Sequence, residues 1–219
     1  FILHNIVNNY LSIKNELKLK TLSNKNINIV AVSKTFSMDQ IKPLLDYGHN
    51  HFGENKVQEA IEKWKDIRQS NSNLKLHLIG KLQTNKVKFV IPLFDYIHSL
   101  DNIRLAKKIS SEQIKFNKRL KIFIQVNIGD EIQKNGIPIS ELNQFYKICV
   151  NDLNLDIVGL MCIPPNVKNT DTYFSKMQQL NKTLGLDELS MGMSSDYLKA
   201  IDYGSTYVRI GSSIFGSRL

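Results

Sequence analysis

The sequence predicts an α/β protein built as a single-domain (β/α)8, TIM-type barrel, and three observations predict it. Eight short apolar runs are spaced along 219 residues, seven of them are followed by an amphipathic segment, and no Pro-, Gly- or Ser-rich linker divides the chain. Strict strand–helix alternation calls for parallel strands with right-handed crossovers, and eight such units close naturally into a barrel. The competing architecture is an open, doubly wound sheet, which a count of elements does not exclude.

The elements follow in order. Ile2, Leu3, Ile6, Val7, Tyr10, Leu11 and Leu17 fall near helical spacing, which predicts an amphipathic first helix over residues 1–20 that packs on the barrel. Strands are expected at residues 27–33, 51–53, 74–79, 95–99, 121–127, 155–161, 189–191 and 206–210. The intervening helices are expected at 38–47, 57–67, 85–91, 102–116, 140–150, 171–184 and 196–203. A helix after the eighth strand is missing or very short, and the first helix is expected to cover that gap.

Composition narrows the class. With 42% hydrophobic and 22% charged residues, the chain is an ordinary globular one rather than a disordered or collagen-like polymer. Cys149 and Cys162 are the only cysteines, so neither a disulfide framework nor a multi-cysteine zinc site is expected. No apolar run is long enough to cross a membrane and no signal-peptide pattern opens the chain, so we expect a cytoplasmic protein. The chain begins at Phe1 rather than Met, and a trimmed targeting segment would make it organellar. The net charge of +9 comes from 24 Lys and 5 Arg, dispersed without a basic run. Planar arginine is the preferred reader of phosphate and base edges, so no specific nucleic-acid partner is expected.

Active residues of a barrel lie at the C-terminal strand ends and in the loops after them. Lys34 directly follows the first strand. Burial of its stem would lower the pKa of its amine and expose a nucleophile suited to a Schiff base with an aldehyde. A strand-end lysine snorkelling to water is the alternative. The loops at 191–194 and 211–213 read as an anion site. Gly192 and Gly211 allow close backbone approach, Ser194, Ser212 and Ser213 supply hydroxyls, and each serine precedes or opens a short helix. Plain turns are the alternative for either loop.

Arg209 lies inside the last strand, within reach of the mouth. A permanently protonated guanidinium can bond a heterocycle nitrogen and keep it unprotonated, or pair with a barrel carboxylate. Lys134, in the loop after strand five, is a second amine on the same end, able to accept an aldehyde transiently or simply to be solvated. The histidines at 4, 49, 51, 77 and 98 show no metal-ligand spacing, so no metal site is expected. His49 and His51 are expected on one face of a strand, and His77 reads as a packed core or barrel residue.

Seven motifs in order carry a resemblance: AVSKT (31–35), FGENKVQE (52–59), HLIGKLQTNK (77–86), QVNIGDEIQKNGI (125–137), GLMCIPP (159–165), LSMGMSSD (189–196) and VRIGSSIFGSR (208–218). The chain resembles the pyridoxal-phosphate homeostasis proteins, also called the YggS or proline-synthetase-co-transcribed family, over almost its whole length. The resemblance implies a barrel like the N-terminal domain of alanine racemases. It also implies that pyridoxal 5'-phosphate is held on Lys34, with Ser194, Gly211 and Ser212 at the phosphate, Arg209 beside the pyridine nitrogen and Asn55 lining the mouth. Two positions depart from the family pattern: Lys81 stands where Pro is common, and Ser212 where Thr is common.

The racemases take one acid–base group from a second domain, and with the sequence ending at Leu219 we expect no such domain here. An unprotonated ring is also a weaker electron sink. The expected role is therefore a monomeric carrier that buffers the cofactor or delivers it to pyridoxal-phosphate-dependent apoenzymes. A racemase-like enzyme of low activity is the alternative.

Overall fold

The computed structural model describes residues 4–21, 26–132 and 134–217. Eight parallel strands form one closed barrel in chain order: β1 (Asn28–Val32), β2 (His51–Glu54), β3 (Lys75–Leu78), β4 (Tyr96–Leu100), β5 (Lys121–Gln125), β6 (Asp156–Met161), β7 (Glu188–Ser190) and β8 (Tyr207–Ile210). Closure is made by β1 against β8, with Asn28 opposite Tyr207 and Ala31 opposite Ile210. The open doubly wound sheet is thereby excluded.

The helices are α1 (Asn5–Lys20), α2 (Met38–Asp46), α3 (Val57–Ser70), α4 (Val87–Leu93), α5 (Ile103–Phe116), α6 (Ile139–Lys147), α7 (Asp171–Thr183), α8 (Tyr197–Asp202) and α9 (Ser212–Phe215). Two boundaries differ from the periodicity. A tight turn at Thr84–Lys86 precedes α4, which therefore starts later and runs on to Leu93. After α6 the chain widens into a π-type turn at Ile148–Asp152.

The gap after β8 is filled as expected. Helix α9 is a single turn, and α1 lies against it, with the Asn9 amide donating to the Ile214 carbonyl at 3.0 Å. Helix α1 also ties to α8: the Tyr197 hydroxyl donates to Glu16, and Lys20 Nζ donates to the Leu198 carbonyl at 2.8 Å. The buried face is Ile6, Val7, Tyr10, Ile13 and Leu17, so Ile13 joins it where the sequence list had Leu11, which is only half-buried. Of the earlier list, Ile2 and Leu3 lie outside the described residues.

Strand alternation divides the interior in two. Outward residues such as Ala31, Phe52, Leu76, Ile122 and Val208 join the helices in an extended aliphatic core. Inward residues form a second cluster of Val30, Tyr96, Phe123, Met161 and Tyr207. His51, His77 and His98 stand in that second layer, each with its ring 5–7 Å from that of Tyr207.

Candidate cofactor site at the barrel mouth

The first strand ends in a turn that presents Lys34. The Phe36 N–H donates to the Ser33 carbonyl at 3.2 Å, and Thr35 takes a left-handed φ of 68°. A β-branched residue there is strained, and neighbouring contacts must hold it. The Thr35 N–H donates to the Glu59 carboxylate on α3. Lys63 Nζ donates to the Ser33 carbonyl at 2.7 Å and to the Phe36 carbonyl at 3.1 Å, clamping both ends of the turn.

Behind the turn lies a buried carboxyl. Glu54, at the end of β2, faces Lys63 Nζ at 2.7 Å and accepts from Ser33 Oγ at 2.8 Å and Trp64 Nε1 at 2.9 Å. All three meet Oε1, while Oε2 is buried without a partner. Burial pushes the Glu54 carboxyl above its usual range, against the pull of Lys63, Trp64 and Ser33. Sequence reading missed Glu54 and Lys63. The alternation in HFGE that turns Glu54 away from the lumen was the available signal.

Arg209 is 3% exposed. Its Nη1 donates to Ser190 Oγ at 2.6 Å and its Nη2 to the Cys162 carbonyl at 2.9 Å. No carboxylate pairs with it among the described residues, so the ion-pair alternative falls away. Burial lowers its pKa, but a guanidinium remains charged.

The two glycine–serine loops meet. The Ser213 N–H donates to Ser194 Oγ at 3.3 Å, and the Arg209 N–H donates to the Gly192 carbonyl at 2.9 Å. Gly192 has φ 97°, and a Cβ there would lie 2.7 Å from Ala200 Cβ. Ser194 precedes α8, where Asp196 takes the N-cap position and accepts from the Met193 N–H at 2.8 Å, and Ser212 and Ser213 open α9, which is one turn long. With helices this short, the hydroxyls and the close approach of backbone are the main anion-directed features of these loops.

Lys34, Asn55, Ser194, Arg209, Gly211 and Ser212 all line one mouth cavity of about 510 Å³. Ile79 and Ile163 are among its apolar walls. Asn55 is kept close by Gly80, where a Cβ would sit 2.4 Å from the Asn55 carbonyl oxygen. Lys134 does not line this cavity. It borders an adjoining recess of about 900 Å³ that shares Ile163, Met193 and Ser194, and it pairs with Glu131 at 2.7 Å.

The two histidines expected on one strand face are separated. Strand β2 begins only at His51, so His49 packs outward on Tyr10, 4.7 Å between ring centroids, while His51 faces the lumen and meets His77 at 2.9 Å. No cluster of His, Cys, Asp or Glu able to hold a metal occurs among the described residues.

The alanine racemase N-terminal domain family matches residues 3–219. Among curated relatives, the pyridoxal phosphate homeostasis protein of Pasteurella multocida is 38% identical over 202 residues, 88% of this chain and 87% of that protein. The protein of the same name from Escherichia coli strain K12 is 36% identical over 205 residues, covering 90% of this chain and 88% of its own. Among solved structures, PipY of Synechococcus elongatus with PLP bound superposes with a TM-score of 0.85 at 31% identity, over 96% of this chain and all of its own. An alanine racemase of Clostridium difficile shares the fold, with a TM-score of 0.74 at 17% identity, over 98% of this chain and 57% of its own. The strained turn bearing Lys34, the buried guanidinium and the facing glycine–serine loops thus sit on a scaffold whose kinship is shown along nearly its full length: the chain belongs to the family of the pyridoxal phosphate homeostasis proteins.

Proposed function

We propose that this chain binds pyridoxal 5'-phosphate covalently and reversibly through Lys34, serving intracellular cofactor homeostasis as a buffer and donor. Its kinship to the homeostasis proteins and the PLP-bound state of PipY support the cofactor. When bound, the cofactor supplies an aldehyde that condenses reversibly with an amine.

The observation that carries the reading is the donor set of the mouth cavity. One amine, one guanidinium with no carboxylate within ion-pair distance among the described residues, one amide and a corner of glycine backbone and serine hydroxyls line a single cavity of about 510 Å³. That set fits a planar heterocycle with an aldehyde on one side and a phosphate on the other. Lys34 provides the amine. Ser194, Ser212 and the backbone at Gly211 receive the phosphate, Arg209 faces the ring nitrogen, and Asn55 borders the ring. The Lys63 clamp fixes the peptide from which Lys34 extends, so that the amine swings from a held base. On this reading the recipients are pyridoxal-phosphate-dependent apoenzymes, and the working unit is a cytoplasmic monomer.

The test is borohydride reduction of the loaded protein followed by peptide mass mapping. We expect the phosphopyridoxyl group on Lys34 and its loss in Lys34→Ala. Labelling on another lysine with Lys34 unmodified would overturn the assignment.

A further inference from the structure

Three histidines bond ring to ring through the barrel lumen, and the chain they make ends on Arg209. Ser190 Oγ, which accepts from Arg209 Nη1 at 2.6 Å, lies 2.8 Å from His98 Nδ1. His98 Nε2 lies 2.8 Å from His77 Nδ1, and His77 Nε2 lies 2.9 Å from His51 Nδ1. The series runs from the mouth at β7 and β8 to the first residue of β2, at the opposite rim. There His51 borders a recess lined also by Tyr10, Lys14 and His49. Every link uses Nδ1 of one ring and Nε2 or a hydroxyl of the next.

We propose that Ser190, His98, His77 and His51 form a hydrogen-bond wire of fixed polarity that positions Arg209 in the mouth cavity. This deepens the cofactor reading and rests on it for the meaning of Arg209.

The polarity follows from counting hydrogens. Arg209 has only donors, so Ser190 Oγ must accept from it. The hydroxyl hydrogen is then available to His98 Nδ1, which must be bare. His98 therefore carries its proton on Nε2 and donates to His77 Nδ1, and His77 in turn donates from Nε2 to His51 Nδ1. In this arrangement each bond has one donor and one acceptor. The reverse polarity would give Ser190 two donors and leave its own hydrogen without either of those acceptors. Burying such a group unsatisfied is costly.

The rings are held in plane for this task. His77 stacks on Tyr96 at 4.1 Å and 13°, and His98 on Phe123 at 4.4 Å and 22°. Both histidines are fully buried, which keeps them neutral and limits each to one ring hydrogen. The wire does not conduct protons to the mouth, because its terminal guanidinium does not exchange its charge at ordinary pH. Its consequence is orientation. With one N–H fixed on Ser190 and another on the Cys162 carbonyl, the guanidinium plane is set before a ligand arrives.

The experiment is nitrogen NMR of the full chain labelled with [15N]histidine, free of cofactor, joined to pyridoxal phosphate titrations of variants. We expect His98 and His77 as Nε2–H tautomers with bare Nδ1. We expect Ser190→Ala and His98→Phe to remain folded by circular dichroism and to lose about tenfold in cofactor affinity. His98→Gln, which keeps an acceptor and a donor, should recover most of that loss. An Nδ1–H tautomer at His98, or equal affinity in the Phe and Gln variants, would overturn the wire. If no variant and not even the parent chain binds the cofactor, the cofactor reading fails while the tautomer spectrum still decides the wire. Should His98→Phe not fold, Ser190→Ala and the spectrum decide alone.

Discussion

The barrel has two interiors, and they are made differently. Between strands and helices the filling is aliphatic and aromatic carbon: Phe52, Trp64, Leu76, Phe174 and Val208 are all fully buried. Inside the barrel the filling is three histidines, two tyrosines, Phe123, Met161 and Val30, with Arg209 and Ser190 at the mouth end. Most of the outer layer needs only volume and apolar surface, the buried Glu54 with Ser33, Lys63 and Trp64 being its polar exception. The lumen needs each polar atom matched, so its side chains are restricted by hydrogen count as well as by size. A fold can be stable on the first alone; it can hold a charged residue beneath a ligand cavity only with something like the second.

Acid should separate the two layers most strongly. In the lumen, burial lowers the pKa of His51 to about 4 and of His77 and His98 well below the usual value, and outside it His49, packed on Tyr10, is also lowered to about 4. In the unfolded chain these groups titrate near 6.5, so between there and about 4 the unfolded state binds more protons than the folded one. Stability is therefore fully present above about pH 6.5 and falls as pH drops. Each pH unit in that window costs about 1.4 kcal/mol for each histidine that stays neutral. The raised Glu54 opposes this in sign, but it is one group against four. We expect the chain to unfold by about pH 4 in circular dichroism. A melting temperature flat from pH 7 to 4 would mean that the lumen is not kept neutral.

A substitution in the outer layer comes next. Phe52 is fully buried and lies 4.9 Å from the Trp64 ring. Phe52→Ala should cost about 3–5 kcal/mol in urea unfolding, with the same acid dependence as the parent chain. A cost below about 1 kcal/mol would show that the outer layer re-closes, which would break the contrast.

The smallest effect sharpens the comparison from the lumen side. The Tyr207 hydroxyl donates to the Tyr96 hydroxyl at 3.3 Å. Tyr96→Phe keeps the ring on His77 and removes only that acceptor, so a loss of about 1 kcal/mol is expected. No loss by urea unfolding would mean that this long contact carries nothing, and that hydrogen matching in the lumen is confined to the histidine series.

Lys34 and the glycine–serine loops were legible because strand ends can be found from apolar runs, and a barrel puts all such ends on one side. The opposite positions were harder. His49 and His51 are two apart and look like strand neighbours, yet β2 starts between them, so one joins α1 and the other the lumen. Ser190 ends a strand of only three residues, too short for a periodic signal.

The residues alone thus determined the order of the elements, their parallel strand–helix alternation and the strand ends near which mouth residues lie, because hydrophobic period and strand-end position are local properties; closure into a barrel rather than an open sheet was decided by the pairing of β1 with β8. Which atoms bond to which was decided only by the tertiary structure. His77 reaches His98, and Ser190 reaches Arg209, through the stagger of strands distant in the chain, while Lys63 reaches the Lys34 turn through a helix folded back over it. Such contacts depend on register and on packing of one element over another, and neither quantity is written in any single stretch of sequence.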